Sequence, residues 1–159
     1  MTQKKIIEKL HLAFADVDNI AHQFPEDNFF QRPANGKWSA AENVEHLFLS
    51  VMPLAGLFCN PALMLEKWGK SERISEDYDK VVAIYQEKIG TIRGAVPGFI
   101  PEAIVASRQE LIQNLKAVNT KFLLRASLFT EEELDIFQVP HPLIGLLTCR
   151  EFLYFTHYH

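Results

Sequence analysis

Three capping boxes constrain the fold of this chain more than any other feature of its sequence. In each box a Ser or Thr hydroxyl serves the backbone three residues on, and a Glu at that position reaches back. The boxes are Ser39–Glu42, Ser107–Glu110 and Thr148–Glu151. Apolar residues recur with helical spacing almost throughout, and no convincing alternation of a β-strand is present. The sequence therefore predicts an all-α protein.

The helices are predicted from the positions of the capping boxes and from the apolar stripes that follow them. In chain order the predicted segments are 3–22, 39–58 with a bend at Pro53, 75–90, a helix from 107, a short one from 130 and a last one from 148. Residues 91–106 contain Gly94, Pro97, Gly98 and Pro101 and form a long irregular connection, a kind that is often functional. From these five longer segments and one short one, we interpret four as a four-helix bundle and the short one as an additional helix.

Length and composition fit a single cytoplasmic domain. The chain has 159 residues, 48% of them hydrophobic, and a net charge of −4, so it can bury a core without disulfides. Two cysteines, Cys59 and Cys149, suit a reducing compartment. The mild acidity and the lack of a Lys/Arg run argue against nucleic acid as a partner. The N-terminal segment lacks the apolar core of an export signal.

The uncharged stretch 47–65 is long enough to cross a membrane. It contains Pro53, Gly56, Asn60 and Pro61, which are unusual together in a lone spanning helix. We therefore interpret this stretch as a buried helix of the bundle and expect no membrane association.

Histidines are the most informative candidates for chemistry. His157 and His159 point to nearly opposite sides of the last helix, because two residues turn a helix by about 200°. His159 shares its face with Phe152 and Phe155, which makes it the better candidate for a buried ligand, although a structural or solvated histidine is the alternative.

His46 lies four residues after Glu42, so both side chains lie on one side of the second helix. The two could bind a metal, or they could form a surface ion pair. The main apolar stripe of that helix faces away from His46, so periodicity alone does not bury it.

Several site types are absent from the sequence. Neither His46 nor His159 has a Glu three residues before it, as a di-iron bundle requires. The sequence also lacks a His-Glu-x-x-His zinc motif, a Gly-x-Ser-x-Gly elbow and a glycine-rich phosphate loop. Cys149 lies in the first turn of a helix, where the dipole could lower its pKa, and a small buried hydrophobe is the alternative role.

Three segments together resemble one family. They are residues 36–47 (GKWSAAENVEHL), residues 141–148 (HPLIGLLT) with a His-Pro-x-x-Gly turn, and residues 151–159 (EFLYFTHYH). In this order they are similar to the start of the second helix, the turn and the last motif helix of the DinB-like superfamily. That group contains the damage-inducible DinB and YfiT proteins and the bacillithiol-type thiol transferases.

The resemblance implies a four-helix bundle that binds one divalent metal, zinc or nickel, through three histidines. On this sequence the first two ligands are His46 and His159. The third would lie four residues beyond His159, so we expect that the single domain, residues 1–159, is truncated in its last helix. Glu42 is the candidate catalytic residue, either as a base or as the group that orients His46. Trp38 and His141 are candidates for the pocket wall, and packing and turn formation explain them nearly as well.

The resemblance further implies a metal-dependent thiol S-transferase or hydrolase that acts on a small electrophilic molecule. A low-molecular-weight thiol would be a second cofactor, and the assembly would be a homodimer. The alternative is a non-catalytic helical bundle, with an incomplete metal site, that binds a partner or dimerises. The uncharged stretch 47–65 and the 12 Phe residues fit such an interface.

Overall fold

Each α-helix begins at a residue whose side chain accepts a hydrogen bond from the first turn. The computed structural model describes residues 1–91 and 96–159. Its elements are α1 (Gln3–Gln23), a 3-10 turn (Glu26–Asn28), α2 (Ala40–Leu57), α3 (Pro61–Trp68), α4 (Tyr78–Ile89), α5 (Arg108–Ala126), α6 (Glu131–Ile136), β1 (Gln138–His141), β2 (Gly145–Thr148) and α7 (Cys149–Tyr158). The capping boxes predicted at Ser39, Ser107 and Thr148 are all formed, and Thr130 starts a fourth.

The part of the chain that the structure describes is mostly helical, as predicted, but the expectation of no strand is wrong. Strands β1 and β2 form an antiparallel hairpin in which His141 pairs with Gly145. The three residues between them are the turn of the His-Pro-x-x-Gly segment, closed by Gly145 at a φ of +81°. Each strand has only four residues, which is too short for alternating hydrophobicity to stand out.

Helix α2 continues through Pro53 and ends at Leu57, one residue before the predicted end. Helices α2 and α3 meet at 90°, with Asn60 capping α3 and Pro61 in its first turn. Within residues 1–91 and 96–159, no single helix has the length and hydropathy of a membrane span. The bent pair α2 and α3 meets those criteria only when both helices are counted together.

The core lies where the long helices meet. Helix α5 packs against α1 and α2, and α7 packs against α1 and α4. The aromatic rings of Phe58, Phe122 and Phe129 make edge and tilted contacts between α2 and the end of α5, with ring centroids 5.0–5.1 Å apart. Burial of these apolar faces is the main source of stability.

A buried carboxylate sets the start of α7. Glu151 has no exposed surface, and its oxygens accept hydrogen bonds from the backbone N–H groups of Thr148 and Glu76. The guanidinium of Arg73 donates to the same carboxylate at 2.5 and 2.6 Å. This ion pair ties the loop before α4 to α7 and so holds the helix that leads to His159.

Candidate functional site

The fold brings His46 and His159 together, although 113 residues separate them in sequence. Their Nε2 atoms lie 3.1 Å apart and their ring centroids 5.0 Å apart. His46 projects from the middle of α2. His159 follows α7, where its backbone N–H still donates to Phe155 O and its ring stacks on the Phe155 ring at 5.3 Å.

A backbone carbonyl selects the tautomer of His46. The Nδ1 of His46 lies 2.6 Å from Phe99 O, and because a carbonyl only accepts, Nδ1 carries the proton. The Nε2 lone pair of the neutral ring is then directed toward His159. Phe99 belongs to the long connection 91–106, which was predicted to be irregular and which, as a long loop, is of a type that often has a function. Gly94 of that connection lies outside the described residues.

Desolvation lowers the pKa of two of the histidines: His141, which is buried, and His159, which as a whole residue is exposed. Desolvation, and secondarily the nearby His46, lower the pKa of His159 to about 4. Burial also lowers the pKa of His141 to about 4, with a smaller effect from His159. Both imidazoles are therefore neutral at pH 7, the form in which histidine binds metals.

The hairpin positions His141 beside this pair. Its Nδ1 accepts the backbone N–H of Leu143 at 3.1 Å, so in the neutral ring the proton is on Nε2. The His141 ring lies 4.4 Å from that of Phe155. Both roles considered for His141 in the sequence are present, since it shapes the turn and also lines the cavity described next.

A cavity of about 750 Å³ adjoins the histidine pair, within the range of small-molecule sites. Trp38 lines it, as the sequence suggested, and its ring lies 4.9 Å from that of His46. Tyr85 and Phe99 also line it and were not predicted as site residues. The sequence placed Tyr85 in the apolar stripe of α4 but gave no reason to assign it to a site. No residue pattern predicts the contact of Phe99 O with His46.

Glu42 does not approach the His46 ring. Its carboxylate accepts hydrogen bonds from Arg32 Nε at 2.9 Å and from the Ser39 backbone N–H at 2.8 Å. The hydrogen bonds from Arg32, above all, lower the pKa of Glu42 to about 2, which makes the carboxylate a weak proton acceptor near neutral pH. A catalytic role for Glu42 stays a prediction, and the group that orients His46 is Phe99 O.

Two further sequence candidates lie elsewhere. The Nδ1 of His157 is 3.0 Å from the Tyr78 hydroxyl, so this histidine faces α4 rather than His46. Cys149 is fully buried, and burial raises the pKa of its thiol, which favours the role of a small core residue over that of a nucleophile.

The donor chemistry of the histidine pair fits a divalent metal. Two nitrogens bound at about 2.0–2.1 Å to one ion are separated by roughly 2.9–3.4 Å at the usual angles, and the observed Nε2 separation is 3.1 Å. Within residues 1–91 and 96–159, no group of three or more His, Cys, Asp or Glu side chains is arranged to hold an ion. The protein would therefore contribute two ligands from the described residues.

Comparison with known proteins places the chain in a family. Curated proteins and solved structures yielded no significant match. A family model described as the DinB superfamily matches residues 9–159, nearly the whole chain. The matched region includes both histidines of the pair, the hairpin and all seven α-helices at least in part. The chain therefore belongs to the DinB superfamily.

Proposed function

We propose that this chain is a metal-dependent enzyme, of the thiol S-transferase or hydrolase type, that acts on a small electrophilic molecule. The observation that carries the proposal is the 3.1 Å approach of the Nε2 atoms of His46 and His159 on the wall of a large cavity. Zinc or nickel held by these two nitrogens would supply a positive charge that lowers the pKa of a thiol or of water. A low-molecular-weight thiol is the proposed second cofactor.

Other residues of the chain have the remaining roles at the site. Phe99 O holds the His46 ring in the tautomer that leaves Nε2 free. Trp38, Tyr85 and Phe155 present apolar surface to a ligand in the cavity. In thiol transfer a C–S bond forms, the leaving group departs with its electron pair, and the thiol proton passes to solvent. In hydrolysis the new bond is to a water oxygen.

His141 is the proposed hydrogen-bond donor to the polar part of the substrate. Its Nδ1 is engaged by the turn, so the Nε2–H is the available donor on the cavity wall. Burial keeps this ring neutral at pH 7, and the hydrogen bond that Nδ1 accepts from Leu143 places its single proton on Nε2. Glu42, bound to Arg32 and Ser39, would act by fixing the start of α2 and thus the position of His46.

The four-helix bundle is the proposed finer description of the fold. Helices α1, α2, α5 and α7 are its four members, because α5 packs on α1 and α2 and α7 packs on α1. In this arrangement α2 and α7 supply the two metal-binding histidines.

Metal content is the first test. Purified protein is incubated with zinc or nickel, dialysed and analysed for metal, beside His46→Ala, His159→Ala and the control His11→Ala, which changes an exposed histidine. We expect near-stoichiometric metal in the parent and the control, and loss in the other two variants while circular dichroism is unchanged. Metal-loaded protein is then screened for consumption of a thiol, or of water, with small electrophiles.

A parent protein that retains no metal under these conditions would overturn the proposal. The non-catalytic helical bundle, acting through a partner or through dimerisation, would then be the better description.

A further inference from the structure

The wall of the cavity is largely hydrocarbon. Leu54, Leu57, Phe152 and Phe155 line it together with the aromatic side chains already described. Its volume of about 750 Å³ is several times that of a single aromatic ring system. Because transfer of apolar surface from water onto such a wall is favourable, hydrocarbon groups of a ligand bind here more strongly than polar ones.

The described residues of the cavity wall include a positively charged side chain but no negatively charged one. Among its described lining residues none is Asp or Glu, and Lys37 is the one permanently charged side chain. Lys37 precedes α2 and is exposed, and it forms no ion pair with any residue in the described part of the chain. A cation in this cavity would lose hydration without gaining a carboxylate partner, whereas an anion would have a free ammonium group near it.

We propose that the cavity binds a small apolar monoanion, with an aromatic or branched aliphatic body against Leu57 and Phe155 and a carboxylate beside Lys37. This inference rests on the proposed function in one respect: the same molecule would carry the electrophilic carbon. Its recognition elements are separate from the metal-binding nitrogens, so binding of an unreactive analogue tests it without turnover.

Three matched probes test the ligand class by isothermal titration calorimetry. They are 2-naphthoate, neutral 2-naphthamide and the cation 2-naphthylmethylammonium, which share one apolar body and differ in charge. We expect naphthoate to bind most tightly, naphthamide to bind more weakly, and the ammonium probe to bind at least tenfold more weakly than naphthoate. Equal affinity for the three probes, or binding by none, would overturn the inference.

Two variants and one control locate the binding determinants. Lys37→Gln should weaken naphthoate about fivefold, the size of an exposed charge pair, and leave naphthamide unchanged. Leu57→Asp should weaken naphthoate about tenfold or more, because it adds a carboxylate to the wall, and the control Leu12→Asp changes an exposed leucine that does not line the cavity. Circular dichroism checks that each variant folds, and Lys37→Gln alters a surface residue, so it remains informative if Leu57→Asp does not fold.

The titrations are repeated in His46→Ala and with a chelator to separate this inference from the proposed function. If naphthoate binds in the expected order to metal-free protein, the ligand class stands, and the metalloenzyme proposal fails separately only if the parent protein retains no zinc or nickel in the metal analysis. If the protein binds metal and consumes thiol but prefers the ammonium probe, only the ligand class fails. Loss of naphthoate binding in His46→Ala with no effect of Lys37→Gln would mean that the metal site, not the cavity wall, selects the anion.

Discussion

At the scale of single residues, the Arg73–Glu151 pair is the polar contact whose loss should cost most. Glu151 is completely buried, so removing Arg73 leaves its charge without the partner that compensates for lost hydration. We expect Arg73→Met to lower the free energy of unfolding by about 3 kcal/mol, measured by chemical denaturation. The control is Lys4→Met, which breaks the exposed 4.0 Å pair with Glu8 and should cost less than about 0.5 kcal/mol. Similar losses in both variants would contradict the argument.

Glu42 should make stability depend on pH. Its pKa is lowered from 4.5 to about 2 in the folded protein, chiefly by Arg32. Its carboxylate therefore contributes stability that is complete above pH 4.5 and is lost as the pH falls toward 2. In denaturation series across this window, Glu42→Gln should flatten the curve relative to the parent protein. Glu102→Gln, in an exposed loop position, serves as the control, and parallel curves for parent and Glu42→Gln would refute the prediction.

Residue patterns and family resemblance together named four residues that the structure brings to one cavity, Trp38, His46, His141 and His159. The face shared by His159, Phe152 and Phe155 predicted a buried His159; its ring stacks on that of Phe155, but the residue as a whole is exposed. The tautomer of His46 could not be predicted, because it depends on the carbonyl of Phe99, 53 residues away in sequence. Every residue type has the same backbone carbonyl group, so no pattern of side chains in the sequence predicts such a contact.

At the scale of elements, the hairpin depends on backbone conformation at Gly145. This residue has a φ of +81°, and an added Cβ would meet no atom within 4 Å, so strain rather than crowding opposes a side chain there. We expect Gly145→Ala to cost about 1–2 kcal/mol.

Gly56 provides the matched control for this prediction. It also has free space around the position of a Cβ, but it lies in α2 with ordinary helical backbone. Gly56→Ala should therefore stabilise the protein by about 0.5–1 kcal/mol. Chemical denaturation of both variants gives the comparison, and effects of the same sign would contradict the role assigned to Gly145.

At the scale of the whole molecule, the homodimer implied by the family resemblance stays a prediction. Leu124, in the last turn of α5, and Leu128, in the turn that follows the helix, are 59% and 65% exposed and are candidates for its interface. Light scattering after gel filtration should give twice the chain mass of 18.2 kDa. Leu124→Lys together with Leu128→Lys should shift the mass toward that of one chain, and a single-chain mass for the parent at every concentration tested would exclude the dimer.

The sequence by itself determined where the helices begin and which face of each is apolar. Capping and periodicity act over a few residues, so Ser39, Ser107 and Thr148 could be recognised as starts without knowledge of the fold. Only the tertiary structure decided the 3.1 Å approach of His46 and His159, the hydrogen bonds from Arg32 to Glu42, and the formation of the cavity. These contacts join segments distant in the chain, and their geometry depends on how whole helices pack, which no local pattern of residues specifies.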